Sequence, residues 1–224
     1  MSSDLVDWAQ QAILQHHDEA SYYRTAYALQ EESYWSHIPG WMAQDWPTRP
    51  HLVVDVGSAY GTLAMCARRL WPDASVVCMD VGDGYLPPGL REQHRLGFLR
   101  ADIEAPGWES PSGFDIVIFT EILEHMNRSP LVALGRLRRM LAPEGLIYLS
   151  TPDAAQWGRL AEYASWRDIP EDAPAVRRDE HIYQYEAGEL LDLVEEAGLI
   201  VLRWDFSPGV GERRHHNLTL GARL

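Results

Sequence analysis

Residues 51–61 read HLVVDVGSAYG, a short apolar run that ends in a turn containing two glycines. A continuous apolar run of this length is typical of a strand covered on both faces of a sheet. Glycines permit a tight turn and let the backbone approach a ligand closely. The next residues, TLAMCARRLWP at 62–72, predict a helix stopped by its final proline. The stretch therefore predicts a strand, a glycine turn and a helix whose first N–H groups face a ligand.

The same alternation continues along the rest of the chain. Further strands are predicted at ASVVCMD (74–80), GFLRAD (97–102), FDIVIFT (114–120), LIYLSTP (146–152) and LIVLRWDF (199–206), with helices at LVALGRLRRML (131–141) and AGELLDLVEEAG (187–198). Strands that alternate with helices predict an α/β domain with a mostly parallel, doubly wound sheet. The last segment, HNLTLGARL (216–224), alternates apolar and polar residues, which predicts an edge strand.

Two segments lie outside this alternation. Residues 4–35 have helical spacing and many aromatic side chains, and prolines and glycine at 39, 40, 47 and 50 are expected to break regular structure after them. The insert at 153–181 is long for a connection, and long connections are usually functional. We therefore expect a helical lid or acceptor segment at 1–50 and a ligand-binding domain at 51–224. The first segment, together with Trp157, Tyr163 and Trp166 of the insert, is expected to form a pocket for a second ligand, the acceptor in a transfer reaction.

Composition restricts the partners of the chain. Its 19 basic and 33 acidic residues give a net charge of −14, which opposes binding to nucleic acid or to anionic lipid. Two basic clusters, at 136–139 and 213–214, are expected to be ordinary solvated faces. Two cysteines do not form a disulfide framework, and neither a signal peptide nor a membrane span is apparent. We expect a cytoplasmic monomer or homodimer with a small-molecule acceptor.

Acidic residues follow the first three strands, where ligands bind in such sheets. Asp80 ends the second strand and is placed to accept hydrogen bonds from a ribose diol. Asp102 ends the third strand, where its carboxylate or the adjacent backbone can contact an adenine. Asp55 opens the first turn, where it either organises that turn or meets the ammonium group of a ligand.

From about residue 50 onward the chain resembles the class I S-adenosylmethionine-dependent methyltransferases. VVDVGSAYG, VVCMD, RADI and FDIVIFTEILEHM are similar to the successive motifs of that family. The resemblance implies a Rossmann-like, seven-stranded sheet, mostly parallel with an antiparallel C-terminal edge strand and helices on both faces. It implies S-adenosylmethionine contacts at Asp55, Gly57, Ser58, Gly61, Asp80, Val81, Asp102, Ile103 and Thr120. Ala59 stands where the family often has glycine. A nicotinamide cofactor fits less well because the glycines are spaced G-x-x-x-G.

The segment after the fourth strand, Glu121-Ile122-Leu123-Glu124-His125, carries the candidate chemistry. If a helix begins here, Glu121, Glu124 and His125 share one face and can bind a divalent cation or form a base with its orienting partner. In a third interpretation these residues only stabilise the fold, with Glu favoured by the dipole at the start of a helix and His packed in the core. By resemblance to ubiquinone-biosynthesis O-methyltransferases and small-RNA 2′-O-methyltransferases, Glu121, Glu124, His125 and His181 would hold Mg²⁺ or a similar ion. The paired histidines at 16–17 and 215–216 are expected on surface or edge segments, without a functional role.

These features predict an enzyme that transfers a methyl group from S-adenosylmethionine to a hydroxyl of a natural product, a sugar or a phenol. Glu121, His125 and His181 are its candidate catalytic residues, and metal assistance is left open. Two alternatives stay open as well: a 2′-O-methyltransferase of an RNA 3′ end, and a non-catalytic subunit that binds S-adenosylmethionine. Oxygen is favoured as the acceptor atom because a carboxylate–histidine set can remove a hydroxyl proton.

Overall fold

Seven strands form one sheet in the order β3-β2-β1-β4-β5-β7-β6. The computed structural model describes residues 2–45, 50–172, 178, 180–209 and 213–223. The strands are β1 (Leu52–Val56), β2 (Ser75–Asp80), β3 (Leu96–Arg100), β4 (Phe114–Thr120), β5 (Leu141–Pro152), β6 (Leu199–Phe206) and β7 (His215–Ala222). The pairs β3–β2, β2–β1, β1–β4 and β4–β5 are parallel, and β7 pairs antiparallel with both β5 and β6. The mostly parallel, seven-stranded fold class is confirmed.

One detail of the predicted sheet is wrong. The C-terminal strand is antiparallel, as expected, but it lies inside the sheet, between β5 and β6. Strand β6 forms the edge instead. The alternation in the sequence of β7 arises because buried polar side chains such as Asn217 and Thr219 separate its leucines, and not because one face is open to water.

Helices cover both faces of the sheet. They are α1 (Ser2–Leu14), α2 (Ala28–Trp35), α3 (Ile38–Asp45), α4 (Thr62–Leu70), α5 (Pro88–His94), α6 (Pro130–Met140), α7 (Ala154–Trp157) and α8 (Ala187–Glu196), with a π-helical turn at Tyr23–Tyr27 and 3-10 turns at Leu123–His125 and Trp166–Asp168. One apolar cluster joins α1, α3 and α4 to one face of the sheet, and a second joins α6 and α8 to the other. Within the described ranges, no helix is long and apolar enough to cross a membrane.

The N-terminal segment differs from the prediction in two places. The helix expected over 4–35 is interrupted after Leu14 and resumes at Tyr23. Pro39 and Gly40 do not end regular structure but lie in the first turn of α3. A proline is tolerated there because the N–H that it lacks has no intrahelical partner. Burial of Ile38 and Met42 supplies the packing that stabilises this short helix. Of the other predicted breakers, Pro47 lies outside the described residues.

Candidate active site

A cavity of about 290 Å³ opens at the carboxyl ends of β1, β2 and β4. Parallel strands bring their ends to one edge, so the residues that follow them meet there. Six of the predicted cofactor residues line this cavity: Gly57, Asp80, Val81, Asp102, Ile103 and Thr120. Tyr27 of the N-terminal segment lines it too. The volume is at the lower end of the range for small-molecule sites.

The Asp80 carboxylate holds the glycine turn while it lines the cavity. Its Oδ2 accepts a hydrogen bond from the N–H of Ala59 at 3.0 Å, and its Oδ1 lies 3.4 Å from the N–H of Gly82. An ionised carboxylate can accept about four hydrogen bonds, so capacity remains for a ligand diol. The donor set fits the ribose that the resemblance implies at this position.

The turn after β1 requires unusual backbone conformations. Gly57 and Gly61 have φ of 72° and 81°, in the left-handed region, and Ala59 has φ of 43°. A Cβ on Gly57 would lie 2.2 Å from Cδ1 of Ile122. The Ile122 side chain, in the loop after β4, therefore packs directly against the backbone of the turn. At position 59, where the family often has glycine, the alanine keeps a conformation that glycine adopts more easily.

Asp55, Ser58 and Gly61 lie behind the main cavity. Asp55 and Ser58 line a small adjoining space, and Gly61 caps the start of α4. The Asp55 carboxylate accepts a hydrogen bond from the N–H of Ala64 at 3.1 Å, and burial raises its pKa to about 7. Of the two roles open to Asp55, its contacts match the organisation of the turn.

The loop after β3 is tied to helix α6. The Oδ1 of Asp102 accepts the N–H of Glu104 at 2.8 Å, which bends the loop toward the cavity. Arg136 donates to the carbonyls of Ile103 and Ala105, the second at 2.8 Å. Buried in this way, Arg136 is an internal tether and not part of a basic surface. Arg214, in the second basic cluster, pairs with Asp153 at 2.8 Å.

Glu121 stands at the junction of β4 and the cavity with φ of 56°, a value rare for residues with a side chain. Its N–H donates to the carbonyl of Ser150 at 3.0 Å, and its Oε1 accepts the Ser150 hydroxyl at 2.7 Å. Its Oε2 lies 2.9 Å from Nδ1 of His215, a close contact without a well-aligned hydrogen bond. Strained residues of this kind cluster at active sites, so the outlier points to function.

His215 is the site residue that the sequence failed to indicate. It was expected on a surface or edge segment, but both His215 and His216 are buried because β7 is internal. The ring of His215 lies between Tyr34 and Trp157, at centroid distances of 4.9 and 5.3 Å. No short-range sequence signal marks it, since 94 residues separate it from Glu121.

In place of the helical face expected at 121–125 there is a single 3-10 turn at Leu123–His125, and Glu121 lies outside it. Ligand atoms of Glu124, His125 and His181 lie within 4.8 Å of one another, whereas Glu121 pairs with His215. Glu124 is buried beside Thr151, whose hydroxyl donates to it at 2.9 Å. Burial, then the charge of Glu121, raises the pKa of Glu124 well above its usual range.

The two histidines of this cluster have hydrogen bonds that assign their ring protons. Nδ1 of His125 lies 3.1 Å from the carbonyl of Glu180, so it carries the proton and Nε2 the lone pair. Nδ1 of His181 accepts from Nε2 of Gln184 at 2.9 Å, and Oε1 of Gln184 is held by the N–H of Leu160. The remaining nitrogen of His181 is then an N–H, which is unsuited to binding a cation. Burial and the adjacent His125 lower the pKa of His181 to about 4, which keeps the ring neutral.

The insert contributes less to the cleft than predicted. Trp157 lines a second cavity beside His215. Trp166 is instead part of the core, and Tyr163 packs partly against that core. Residues 173–177 and 179 of the insert lie outside the described residues.

Comparison with known proteins matches this geometry. The sequence model of the family described as "Methyltransferase domain" covers residues 30–203. A curated relative, trans-aconitate 2-methyltransferase of Rhodopseudomonas palustris, is 26% identical over 149 residues. That match covers 66% of this chain and 52% of the relative, so the chain spans about half the relative's length.

Solved structures share the fold at lower identity. The 1,6-didemethyltoxoflavin-N1-methyltransferase of Burkholderia thailandensis, solved with bound 1,6-didemethyltoxoflavin and S-adenosylhomocysteine, is 17% identical with a TM-score of 0.64, covering 96% of this chain and 89% of that one. The (4+2) cyclase SpnF is 15% identical with a TM-score of 0.61, covering 99% and 94%. At these identities the likeness concerns the fold alone. Because the family model spans more than half of the chain, the chain belongs to the methyltransferase domain family, with the fold of the class I S-adenosylmethionine-dependent enzymes.

Proposed function

We propose that this protein methylates a hydroxyl group of a small organic acceptor with S-adenosylmethionine as the methyl donor. The observation that carries the proposal is the Glu121–His215 pair, which joins the cofactor cavity to a second cavity. A carboxylate beside an imidazole is the arrangement of a general base with its orienting group. Nitrogen acceptors with a lone pair have less need of such a base.

The cofactor would lie in the cavity at the ends of β1, β2 and β4. Asp80 would accept the ribose hydroxyls, the loop at Asp102 and Ile103 would contact the adenine, and Gly57 and Thr120 would line the remainder. S-adenosylmethionine supplies a methyl group that is already activated by its sulfonium. The chain therefore has to position the acceptor and to remove one proton.

We assign to His215 the role of the general base that removes the proton of the acceptor hydroxyl. Glu121 lies beside Nδ1, which favours a proton on that nitrogen and leaves the Nε2 lone pair as the acceptor. Nε2 would take the hydroxyl proton as the oxygen gains the methyl group, the bond from that methyl group to the sulfonium sulfur would break to release S-adenosylhomocysteine, and Glu121 would stabilise the imidazolium that results. His125 and His181, the other candidate catalytic residues, are proposed to position the loop after β4 through the contact of their rings, whose centres lie 4.7 Å apart.

The alternative is metal assistance at Glu124, His125 and His181, with or without Glu121. The ring proton assigned to Nε2 of His181 opposes it, as does the contact between Glu121 and His215. Glu124→Gln separates the two mechanisms, because the amide mimics a protonated carboxyl but is a poor metal ligand. We expect this variant to keep its turnover, and turnover to be unchanged by EDTA. Loss of turnover both in Glu124→Gln and in the wild type treated with EDTA would establish a metal centre.

The main test combines binding with turnover. Calorimetric titration with S-adenosylhomocysteine is expected to give micromolar affinity, independent of Mg²⁺. Turnover, followed as S-adenosylhomocysteine released with a panel of phenols and sugar alcohols, should fall about 10²- to 10⁴-fold in Glu121→Gln and in His215→Asn. Affinity for S-adenosylhomocysteine should stay within about threefold in both variants, because neither residue is proposed to hold the ribose or the adenine.

A control variant and three outcomes make this test decisive. Glu109→Gln removes an exposed carboxylate outside the cavities and should change neither readout. Absence of S-adenosylhomocysteine binding would refute the cofactor assignment. Binding without turnover on any acceptor would support the non-catalytic subunit instead. Undiminished turnover in His215→Asn would show that the base lies elsewhere.

A further inference from the structure

A second cavity of about 310 Å³ lies beside the Glu121–His215 pair. Its wall is formed by Gln30, Ser33, Tyr34, Trp157, Arg213 and His215. Glu121 lines the cofactor cavity and touches His215, which lines the second one. A molecule in this second cavity would therefore contact His215, whose Nδ1 lies 2.9 Å from Glu121 of the cofactor cavity.

The aromatic part of the wall is held in place by its neighbours. Helix α2 presents Tyr34, and its backbone is fastened to the sheet because Asn217 donates to the carbonyl of Tyr34 at 2.9 Å. Trp157 is fastened from the other side, since its indole N–H donates to the carbonyl of Arg214 at 3.3 Å. The volume suits one aromatic ring with a short substituent. Ring faces and edges on two sides favour a planar occupant.

The remaining part of the cavity wall carries a positive charge, on Arg213. Among the described residues that line this cavity, Arg213 is the one with a formal charge, in a protein with a net charge of −14. Its guanidinium lies 4.9 Å from the centre of the Trp157 ring, which holds it against the cavity wall. The adjacent Arg214 is paired with Asp153, whereas Arg213 has no carboxylate partner within the described part of the chain. A guanidinium in a carboxylate-free wall matches the planar, two-oxygen geometry of a carboxylate.

We propose that the second cavity binds the acceptor, and that the acceptor is a hydroxylated aromatic carboxylate whose acid group pairs with Arg213 while its hydroxyl faces His215. This rests on the proposed function, and it specifies the substrate class. Gln30 and Ser33 supply the polar part of the wall. An anionic acceptor would otherwise be repelled by the acidic protein, so Arg213 both attracts it and sets its orientation.

The test uses two probes of nearly the same shape, one anionic and one neutral. 4-Hydroxycinnamate carries the carboxylate, and 4-hydroxycinnamamide replaces it with a neutral amide. Both are titrated calorimetrically into the protein saturated with S-adenosylhomocysteine. We expect the carboxylate to bind at least tenfold more tightly in the wild type and to lose that advantage in Arg213→Gln. The amide and S-adenosylhomocysteine should bind both proteins equally well. Arg139→Gln, a change at an exposed arginine outside the cavity, is the matched control.

The outcomes separate this inference from the function on which it rests. Equal affinity for the two probes, or an advantage that survives Arg213→Gln, would overturn the assignment of Arg213 and of the substrate class. A wild type that binds neither probe would overturn it as well. If S-adenosylhomocysteine itself does not bind, the proposed function fails first, and the probe titrations are then repeated on the free protein. Arg213→Lys keeps the charge but not the two-pronged geometry, and it should retain only part of the preference.

Discussion

The contact between Gly57 and Ile122 joins the first strand's turn to the fourth strand's loop at a single residue. Gly57 has φ of 72°, and a Cβ there would lie 2.2 Å from Cδ1 of Ile122 and 2.5 Å from its Cγ1. A side chain would meet two separate penalties, one from the left-handed backbone and one from overlap with Ile122. The position is therefore restricted to glycine by both backbone and packing.

Gly57→Ala is expected to destabilise the protein by about 2–5 kcal/mol, from roughly 1–2 for the backbone and 1–3 for the overlap. It should also weaken S-adenosylhomocysteine binding, because the turn lines the cofactor cavity. Urea unfolding measures the first effect and calorimetry the second. Gly84→Ala is the control, since a Cβ on Gly84 meets no atom within 4 Å. A Gly57 variant as stable as the Gly84 variant would contradict this account of the turn.

At the residue scale, the sequence predicts the place of a residue at the cavity when that residue follows its own strand. Gly57, Asp80, Asp102 and Thr120 were located because strand ends are visible as apolar runs, and the sheet brings those ends together. His215 could not be located in this way. It stands at the start of β7, and only the internal position of that strand brings it to Glu121. Local pattern does not carry the pairing order of an antiparallel strand.

At the scale of elements, a buried carboxyl joins three helical segments. Glu31 of α2 accepts hydrogen bonds from Gln10 of α1 at 2.9 Å, from Thr62 of α4 at 2.6 Å and from Tyr23 at 3.2 Å. Burial raises the pKa of Glu31 to about 7, against hydrogen bonds that lower it. This group lies beneath the glycine turn, so its protonation affects how the N-terminal segment is held on the sheet.

The raised pKa predicts a specific pH dependence. Below pH 4.5 the carboxyl is protonated in the folded and the unfolded chain, so it adds no pH dependence. Between pH 4.5 and about 7 the unfolded chain loses a proton that the folded chain keeps, and stability falls as pH rises. Glu31→Gln keeps the protonated shape at every pH. We expect it to be more stable than the wild type at pH 8, by about 2–3 kcal/mol, and nearly equal at pH 5.

Urea midpoints at pH 5 and pH 8 check this prediction. A difference between Glu31→Gln and wild type that is the same at both pH values would contradict it. Asp55 also has a pKa raised to about 7 by burial, so part of the wild-type slope should survive in the Glu31 variant. Glu109→Gln, at an exposed position, should leave the slope unchanged.

Elements were predicted best where one feature of the sequence dominates. β4 spans 114–120 as predicted, because its near-continuous apolar run has no competing helical pattern. α3 is hidden in the sequence because proline and glycine usually break regular structure, whereas here both lie in a first turn, where proline is tolerated. The segment at 121–125 forms only a 3-10 turn, because Glu121 adopts a left-handed backbone and cannot open an α-helix. That conformation has no signature in residue type.

At the scale of the whole molecule, the cofactor cavity is lined by residues that are far apart in the sequence and meet only when the sheet has formed. Ligand binding and global stability are therefore linked. A ligand that binds only the folded state stabilises it by about 2.7 kcal/mol at 100 times its Kd. For a protein of this size each kcal/mol shifts Tm by about 2–4 °C. S-adenosylhomocysteine at 100 times its Kd should therefore raise Tm by roughly 5–10 °C, whereas a nicotinamide dinucleotide should not.

Asp80→Asn turns this shift into a test of where the cofactor binds. The amide keeps the shape of the side chain but weakens acceptance of hydrogen bonds from a diol, and we expect about a 30-fold rise in Kd. At the same ligand concentration the shift in Tm should then fall to about 2–3 °C. Asp83→Asn, three residues further along the chain and exposed, should show the full wild-type shift. Equal shifts in the two variants would mean that the ligand lies away from the end of β2, and the binding site would have to be sought outside the cavity at the ends of β1, β2 and β4.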